Sequence, residues 1–187
     1  MASNPQYSGI RTSIDRVERL DSADMHDLCD ATDMAILDGG GFGWLDPPPR
    51  ETLEAFWRGV LVMPDRELFV VRLAGTVCGS GQLILPSRNM EAQRHAAQLK
   101  SAFIAPWARG HALARDLTLA LEARARALKF TIFNLDVRAT QERAIRLYDS
   151  LGYIRWGTNP AYAFVKGEMV EGHYYYKNLK QTDLPKR

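Results

Sequence analysis

The stretch FIAPWARGHALA, residues 103–114, decides the fold of this chain. Its apolar start predicts the end of a strand that Pro106 stops, and an Ala-, Leu- and Arg-rich run over 110–128 predicts a long helix. The first N–H groups of such a helix lack intrahelical acceptors and carry the positive end of its dipole. Gly110 allows close approach of the backbone, and Arg109 adds a full charge. We therefore expect this corner to bind phosphate.

Outward from this corner, the hydrophobic pattern predicts a mixed α/β fold of about seven strands and four helices in one domain. Strands are indicated at 10–17, 67–73, 77–85, 97–104, 130–137, 153–156 and 173–179. Helices are indicated from an N-cap at Ser22 to about Ile36, and at 51–62, 110–128 and 141–151, the last ended by Gly152. The short link at 74–76 between two of these strands predicts a hairpin.

Composition excludes several classes of protein. The chain has 187 residues, 46% of them hydrophobic and 25% charged, which suits one globular domain and not a disordered tail. Two cysteines without metal-ligand spacing predict neither a disulfide scaffold nor a metal site, and favour a reducing, cytoplasmic location. The N-terminus lacks the pattern of a signal peptide, and no run of about 18 apolar residues predicts a membrane span.

Charge is distributed unevenly along the chain. Residues 1–93 hold 8 Arg, no Lys and 14 acidic residues, whereas residues 94–187 hold 16 basic and 8 acidic residues. Either surface charge drifts, or the fold joins a site for a cationic ligand to one for a polyanion. Basic residues are dispersed without interleaved aromatics, which argues against nucleic acid. A stripe of aspartates is either a solvated helix face or an attraction for a cationic amine: Asp21, Asp24, Asp27, Asp30 and Asp33.

Two motifs, RGHALA at 109–114 and QERAIRLYDSLGY at 141–153, together resemble the GNAT superfamily of acyl-CoA-dependent N-acyltransferases. RGHALA at 109–114 resembles its pyrophosphate loop, Arg/Gln-x-x-Gly-x-Gly/Ala, with Ala112 at a glycine position. QERAIRLYDSLGY at 141–153 resembles its second motif, Asn-x-x-Ala-x-x-x-Tyr-x-x-x-Gly-Phe/Tyr, with Gln141 at the asparagine position.

This resemblance implies a mostly antiparallel sheet with a splayed strand pair, and acetyl-CoA as cosubstrate. It implies direct attack of an amine on the thioester in a ternary complex. Tyr148 would be the general acid that protonates the leaving thiolate, because a phenol is protonated at neutral pH. The implied cofactor contacts are Phe103, Ile104, Arg109, Gly110, His111, Ala112, Leu113, Ala114 and Gln141.

The acceptor side is less specified. Asp136 lies at the end of a predicted strand, and strand ends in open α/β sheets face the binding crevice. It is therefore the candidate general base, with Glu91, His95 or a water as alternatives. We expect Trp44 and Glu91 to contact the acceptor. Phe42 and Trp44 lie on a glycine-rich loop, where they either cover the acceptor or anchor the loop.

Three further segments look like the tabtoxin-resistance-like branch of small bacterial GNAT enzymes: GWL at 43–45 with FWR at 56–58, RHAAQLK at 94–100 and GHYYYK at 172–177. That branch usually carries an acidic residue where this chain has Ala97. The predicted function is acetylation of a small-molecule primary amine. Acetylation of a protein or peptide amine, and acyl-CoA binding without turnover, stay open as alternatives. Tyr174, Tyr175 and Tyr176 would cover either a sheet edge or a partner subunit in a homodimer.

Overall fold

The predicted strands and helices assemble around one sheet of seven strands in a computed structural model. Residues 11–40 and 42–180 are described, so the expectations for the N-terminus and Ile10 lie outside the described residues, as does Gly41 of the glycine-rich loop. The strands are β1 Thr12–Val17, β2 Arg66–Leu73, β3 Thr76–Ile84, β4 Ala96–Ile104, β5 Ile132–Arg138, β6 Ile154–Val165 and β7 Glu168–Asn178. The helices are α1 Ser22–Leu37, α2 Arg50–Val62, α3 Leu113–Ala127 and α4 Glu142–Ser150.

Two central strands of the sheet diverge. The order is β1-β2-β3-β4-β5-β7-β6, and all neighbours are antiparallel except the parallel pair β4–β5. That pair is hydrogen-bonded only where Ala96–Gln98 runs beside Ile132–Asn134. Ser101 then adopts a left-handed conformation with φ of 48°, next to a register shift between β3 and β4. The predicted splayed pair is therefore present, and it leaves one edge of β4 open to a ligand.

Each face of the sheet carries its own core because side chains alternate along the strands. On β2, Leu68 and Val70 pack with α1 and α2, whereas Phe69 and Val71 belong to the core that includes α3. The predicted hairpin is confirmed: Leu73 pairs with Thr76 around a two-residue turn whose residues both have positive φ. Burial on both faces makes the sheet a rigid support for the site.

Two helix starts differ from the prediction. Asp21, not Ser22, caps α1, because its side chain accepts a hydrogen bond from the backbone N–H of Asp24 at 2.8 Å. Helix α3 begins at Leu113 and not at residue 110, because Ala112 is left-handed with φ of 59°. At the end of α4 the predicted cap is confirmed, since Gly152 has φ of +81°.

The last two strands are longer than the sequence predicts. They form a hairpin from 154 to 178, joined at residues 166 and 167, both with positive φ. Gly157, Pro160 and a register shift between Asn159 and Ala163 interrupt the alternation of β6, which hid the strand. The tyrosines at 174–176 lie on β7, inside the sheet and not at its edge. Among the described residues, no helix combines the length and apolarity that a membrane crossing needs.

Candidate active site

A large cavity opens beside the diverging strands, and we call it the cleft. Its volume is about 950 Å³. Its walls are the end of α1 with the residues that follow it, the end of β4, the loop that leads into α3, the first turns of α3, and α4. All predicted cofactor contacts except His111 line it: Phe103, Ile104, Arg109, Gly110, Ala112, Leu113, Ala114 and Gln141. The corner that decided the fold is therefore open and not sealed by packed side chains.

The backbone at this corner turns sharply. A short 3-10 turn covers Pro106–Ala108, Gly110 follows with φ of +91°, and Ala112 is left-handed. Only glycine adopts the Gly110 conformation without strain. Residues 112–115 line the cleft, so the start of α3, whose first N–H groups lack intrahelical acceptors, borders it as an anion site requires.

A second cavity, which we call the pocket, has a volume of about 510 Å³. Its polar side chains are Lys100, Ser101, Asp136, Arg138, Gln141, Tyr148 and Tyr162. Its apolar side chains come from β4, β5, α4, β6 and the segment after α1, residues 38–40 and 42–45. The cleft and the pocket share four lining residues: Ala102, Gln141, Ala144 and Tyr148. A group bound in the cleft and a group bound in the pocket thus meet at these residues.

Tyr148 stands at this junction. It is 7% exposed and packs edge-to-face on Tyr153, with ring centroids 5.6 Å apart. Burial, with the nearby Asp136 carboxylate, raises the pKa of Tyr148 to about 12. Its hydroxyl has no hydrogen-bond partner among the residues that the structure describes. The phenol is thus a protonated donor at neutral pH, available to a bound group.

The Asp136 carboxylate accepts hydrogen bonds from three donors. Its Oδ1 accepts from Gln98 Nε2 at 3.0 Å and from the Lys100 ammonium, and its Oδ2 accepts from the Tyr162 hydroxyl. The Asp136 side chain is only 8% exposed. The predicted base therefore lies in the pocket, as strand-end placement predicts, but Lys100 neutralises its charge. Sequence analysis missed Tyr162, because its strand was not recognised there.

The segment after α1 is fastened across the cleft. Arg109 makes an ion pair with Asp38 at 2.6 Å, and Gln141 Nε2 donates to the carbonyl of Gly39 at 2.6 Å. Both donors are predicted cofactor contacts. The cleft and this segment therefore share hydrogen-bonding groups.

Phe42, from the same segment, lines the pocket. It is 6% exposed, packs edge-to-face on Phe103 at 5.1 Å, and its carbonyl accepts from Arg138 at 2.6 Å. Phe42 thus forms a wall of the pocket and also anchors the segment.

Three residues of the predicted acceptor side lie elsewhere. Trp44 packs on Phe56 of α2, with centroids 5.1 Å apart, outside both cavities. Glu91 lies in a 3-10 turn before β4, has a side chain that is 82% exposed, and pairs with Arg94 at 3.5 Å. The carbonyl of His95 accepts from the chain just before β5. The fold does not bring these residues to the pocket.

The aspartate stripe of α1 has partners in neighbouring elements. Asp24 pairs with Arg72, whose hydrogen bond lowers the pKa of that carboxyl, and Asp30 pairs with Arg50 at 2.7 Å. Asp27 accepts from a backbone N–H at the start of β3. These contacts anchor α1 against α2 and the sheet.

Comparison with known proteins matches this geometry to a family. The model of the Acetyltransferase (GNAT) family matches residues 26–153. This chain belongs to the GNAT family. A GNAT relative from Azospirillum brasilense, described as an uncharacterized N-acetyltransferase in the hisH-hisA intergenic region, is 57% identical over 131 residues, which cover 70% of this chain and 78% of the relative.

Solved structures share the GNAT fold at low identity. An N-acetyltransferase from Staphylococcus aureus Mu50 is 18% identical with a TM-score of 0.77, over 91% of this chain and 99% of that one. The yncA protein of Salmonella typhimurium, solved with its cofactor acetyl-CoA, is 18% identical with a TM-score of 0.73, over 94% and 98% of the two chains. The mixed sheet with a splayed pair is thus the GNAT fold.

Acetyl-CoA is the cosubstrate of this GNAT chain, and the cleft fits its chemistry. Coenzyme A is a polyanion, and four arginines line the cleft: Arg109, Arg115, Arg143 and Arg146. All four come from the basic half of the sequence. With the N-terminus of α3 they would hold the phosphates, and the open edge of β4 would hold the pantetheine.

Proposed function

We propose that this chain transfers an acetyl group from acetyl-CoA to a small-molecule primary amine that binds in the pocket. The observation that carries the proposal is the junction at Tyr148, where the cleft and the pocket share four lining residues. A thioester held in the cleft and an amine held in the pocket would react there directly, within a ternary complex.

Each step of this reaction has a residue suited to it. The Asp136 carboxylate would take the proton that an ammonium must lose before its nitrogen can attack. Unpaired N–H groups at the splayed edge of β4, near Phe103 and Ile104, would stabilise charge on the thioester oxygen. Tyr148 would then give its proton to the leaving sulfur, because burial keeps the phenol protonated.

The pocket favours a small acceptor. At about 510 Å³ it lies within the ordinary range for small-molecule sites, roughly 300–1,000 Å³. Aromatic walls from Phe42, Tyr162 and Phe164 surround a few polar groups, the usual composition of such a site. A protein or peptide amine is the competing acceptor, and acyl-CoA binding without turnover is the competing function.

Thiol release from acetyl-CoA tests the proposal with a panel of amino acids, amino sugars, alkylamines and a peptide with a free N-terminus. We expect turnover with at least one small amine and little with the peptide. Calorimetry with CoA on the same protein separates the outcomes. CoA binding without thiol release would support acyl-CoA binding without turnover. Preference for the peptide would support acetylation of a protein or peptide amine.

The finer predictions rest on sequence alone. Membership of the tabtoxin-resistance-like branch stays a prediction. Cytoplasmic location and a homodimer also stay predictions, and light scattering of the purified chain would test the homodimer.

A further inference from the structure

The edge strand β6 carries an irregularity that serves the pocket. Asn159 pairs with Gly172 and Ala163 pairs with Val170, so three residues of β6 stand against one residue of β7. Such a bulge redirects a side chain next to an active site. Here it turns Tyr162 across β7 into the pocket.

Gly172 makes room for this tyrosine. A methyl group at Gly172 would overlap the ring of Tyr162. Glycine within a strand typically marks a close approach of this kind. Since the ring lies on the bare backbone of β7, its position is fixed by the sheet and not by a flexible loop.

The hydroxyl of Tyr162 is directional. It donates its single proton to Asp136 Oδ2, which leaves its lone pairs to accept. A carboxylate offers about four acceptor positions, and three donors already occupy three of those of Asp136. An ammonium in the pocket can therefore donate a hydrogen bond to the Tyr162 oxygen, while the Tyr162 hydroxyl donates to the Asp136 carboxylate.

We propose that Tyr162 is a catalytic residue that relays the proton of the acceptor ammonium to Asp136. The N–H bond breaks and its electron pair stays on nitrogen, while the proton joins the Tyr162 oxygen. The original phenolic proton moves to Asp136 Oδ2, which later releases it to water. The inference rests on the proposed function, and it supplies the base step of that reaction.

The electrostatic surroundings agree with a relay and not with a phenolate base. Burial, followed by the hydrogen bond to Asp136, raises the pKa of Tyr162, so its hydroxyl keeps a proton at neutral pH. The titratable and charged groups packed around this pair come from several elements: Lys100 of β4, Arg138 of β5, Tyr148 of α4 and Tyr174 of β7.

The test compares Tyr162→Phe with Tyr174→Phe, which removes a neighbouring phenol outside both cavities. The acceptors are the most active alkylamine of the panel, protonated at neutral pH, and hydroxylamine, which is mostly neutral there. With the alkylamine we expect Tyr162→Phe to lower kcat/KM roughly 100-fold at neutral pH. This deficit shrinks as the pH approaches the pKa of the amine, and hydroxylamine shows little of it. Tyr174→Phe behaves as wild type.

Two other readouts separate a relay from a structural role. CoA affinity measured by calorimetry stays unchanged in Tyr162→Phe. In NMR spectra of isotope-labelled tyrosine, Asp136→Asn shifts the Tyr162 ring signal more than that of Tyr174. Gly172→Ala, which displaces the Tyr162 ring, reproduces the pH-dependent loss of kcat/KM. Combined with Tyr162→Phe in a double variant, it causes no further loss.

Distinct results would overturn the inference. Wild-type kcat/KM in Tyr162→Phe, or an equal loss with both amines at every pH, would remove Tyr162 from the proton path while leaving the acetyltransferase function intact. If the wild-type protein binds CoA but releases no thiol with any amine tested, the proposed function is refuted, and the relay with it.

Discussion

The cleft and the pocket are built in opposite ways. The cleft has a surplus of donors: four arginines and a helix N-terminus face it, against few acidic side chains. The pocket has fewer charged groups and satisfies them internally, since Lys100 and Tyr162 both bind Asp136. A surplus of donors suits a ligand that brings its own negative charge, whereas an internally satisfied cluster stays fixed until a substrate replaces a contact. Binding energy is thus expected mainly from the cleft and selectivity mainly from the pocket.

The largest effect is expected where the two cavities meet. Tyr148→Phe removes the proposed general acid but keeps the ring that packs on Tyr153. We expect kcat to fall about 10²- to 10⁴-fold with CoA affinity unchanged in calorimetry. Tyr153→Phe is the matched control, because that buried phenol lines neither cavity. Unchanged turnover in Tyr148→Phe would assign the proton to another donor. The residue at which the cleft and the pocket meet would then not be the general acid.

The pH profile of the wild type sharpens the same point. Burial raises the pKa of Tyr148 to about 12, and the acid acts in its protonated form. Its donor is therefore complete at low pH and is lost only as the pH rises through that value. We expect kcat at saturating substrates to rise to a plateau and to show no alkaline fall up to about pH 10. A fall centred near pH 8 or 9 would point to a different acid.

Removing one arginine tests how the cleft binds. Arg109→Ala loses a charge-assisted contact worth roughly 1.5 kcal/mol, so we expect about tenfold weaker CoA binding and a smaller salt dependence. Arg58→Ala, an exposed arginine of α2 paired with Glu54, is the control and should not change affinity. Calorimetry at two salt concentrations gives both quantities. Equal affinity of the two variants would exclude Arg109 from the phosphate site.

The ion pair between Asp38 and Arg109 predicts a smaller effect of opposite sign. In the free protein Arg109 is held by Asp38, with side chains that are 34% and 46% exposed for Arg109 and Asp38 respectively. Exposed pairs of this kind contribute about 0.2–1 kcal/mol. Asp38→Asn should therefore tighten CoA binding by about 1.5- to fivefold in calorimetry. Weaker binding would mean that Asp38 positions Arg109 for the phosphate and does not compete with it.

Sequence predicted the cleft because its parts are contiguous. The strand end, Pro106, Gly110 and Arg109 lie within a few residues, so local rules about turns and helix ends fix their relative positions. Tyr148 followed from a second contiguous motif that ends at Gly152. The late start of α3 was missed because alanine is rarely left-handed, and only the assembled loop imposes that conformation on Ala112.

The pocket depends on contacts between distant segments, which no local pattern records. Tyr162 reaches Asp136 because a bulge in β6 redirects its side chain and because Gly172 leaves room for its ring. Neither feature predicts this contact without the other. On the segment after α1, Phe42 and Trp44 are equivalent as aromatic residues of a glycine-rich loop. Only packing decides that Phe42 lines the pocket and Trp44 joins α2. Asp136 was accessible to sequence reasoning because strand ends have a predictable location.

The smallest predicted effect concerns Ala112, which is left-handed. Replacing it tests whether the conformation that shapes the cleft lowers the free energy of unfolding. A left-handed conformation disfavours alanine by roughly 1–2 kcal/mol relative to glycine, and the extra freedom of glycine in the unfolded chain offsets about 0.5–1 kcal/mol. We therefore expect Ala112→Gly to raise the free energy of unfolding by about 0.5–1 kcal/mol in urea titrations.

Ala114→Gly is the matched control for that prediction, because it changes the same atoms two residues further on, inside α3. There glycine should lower the free energy of unfolding by about 0.5–1 kcal/mol, since it weakens a regular helix. Opposite signs at the two positions would show that the turn at residue 112 is strained in the unliganded chain. A loss at both would mean that the alanine methyl group is held by its surroundings, and that the cleft keeps its shape without conformational cost.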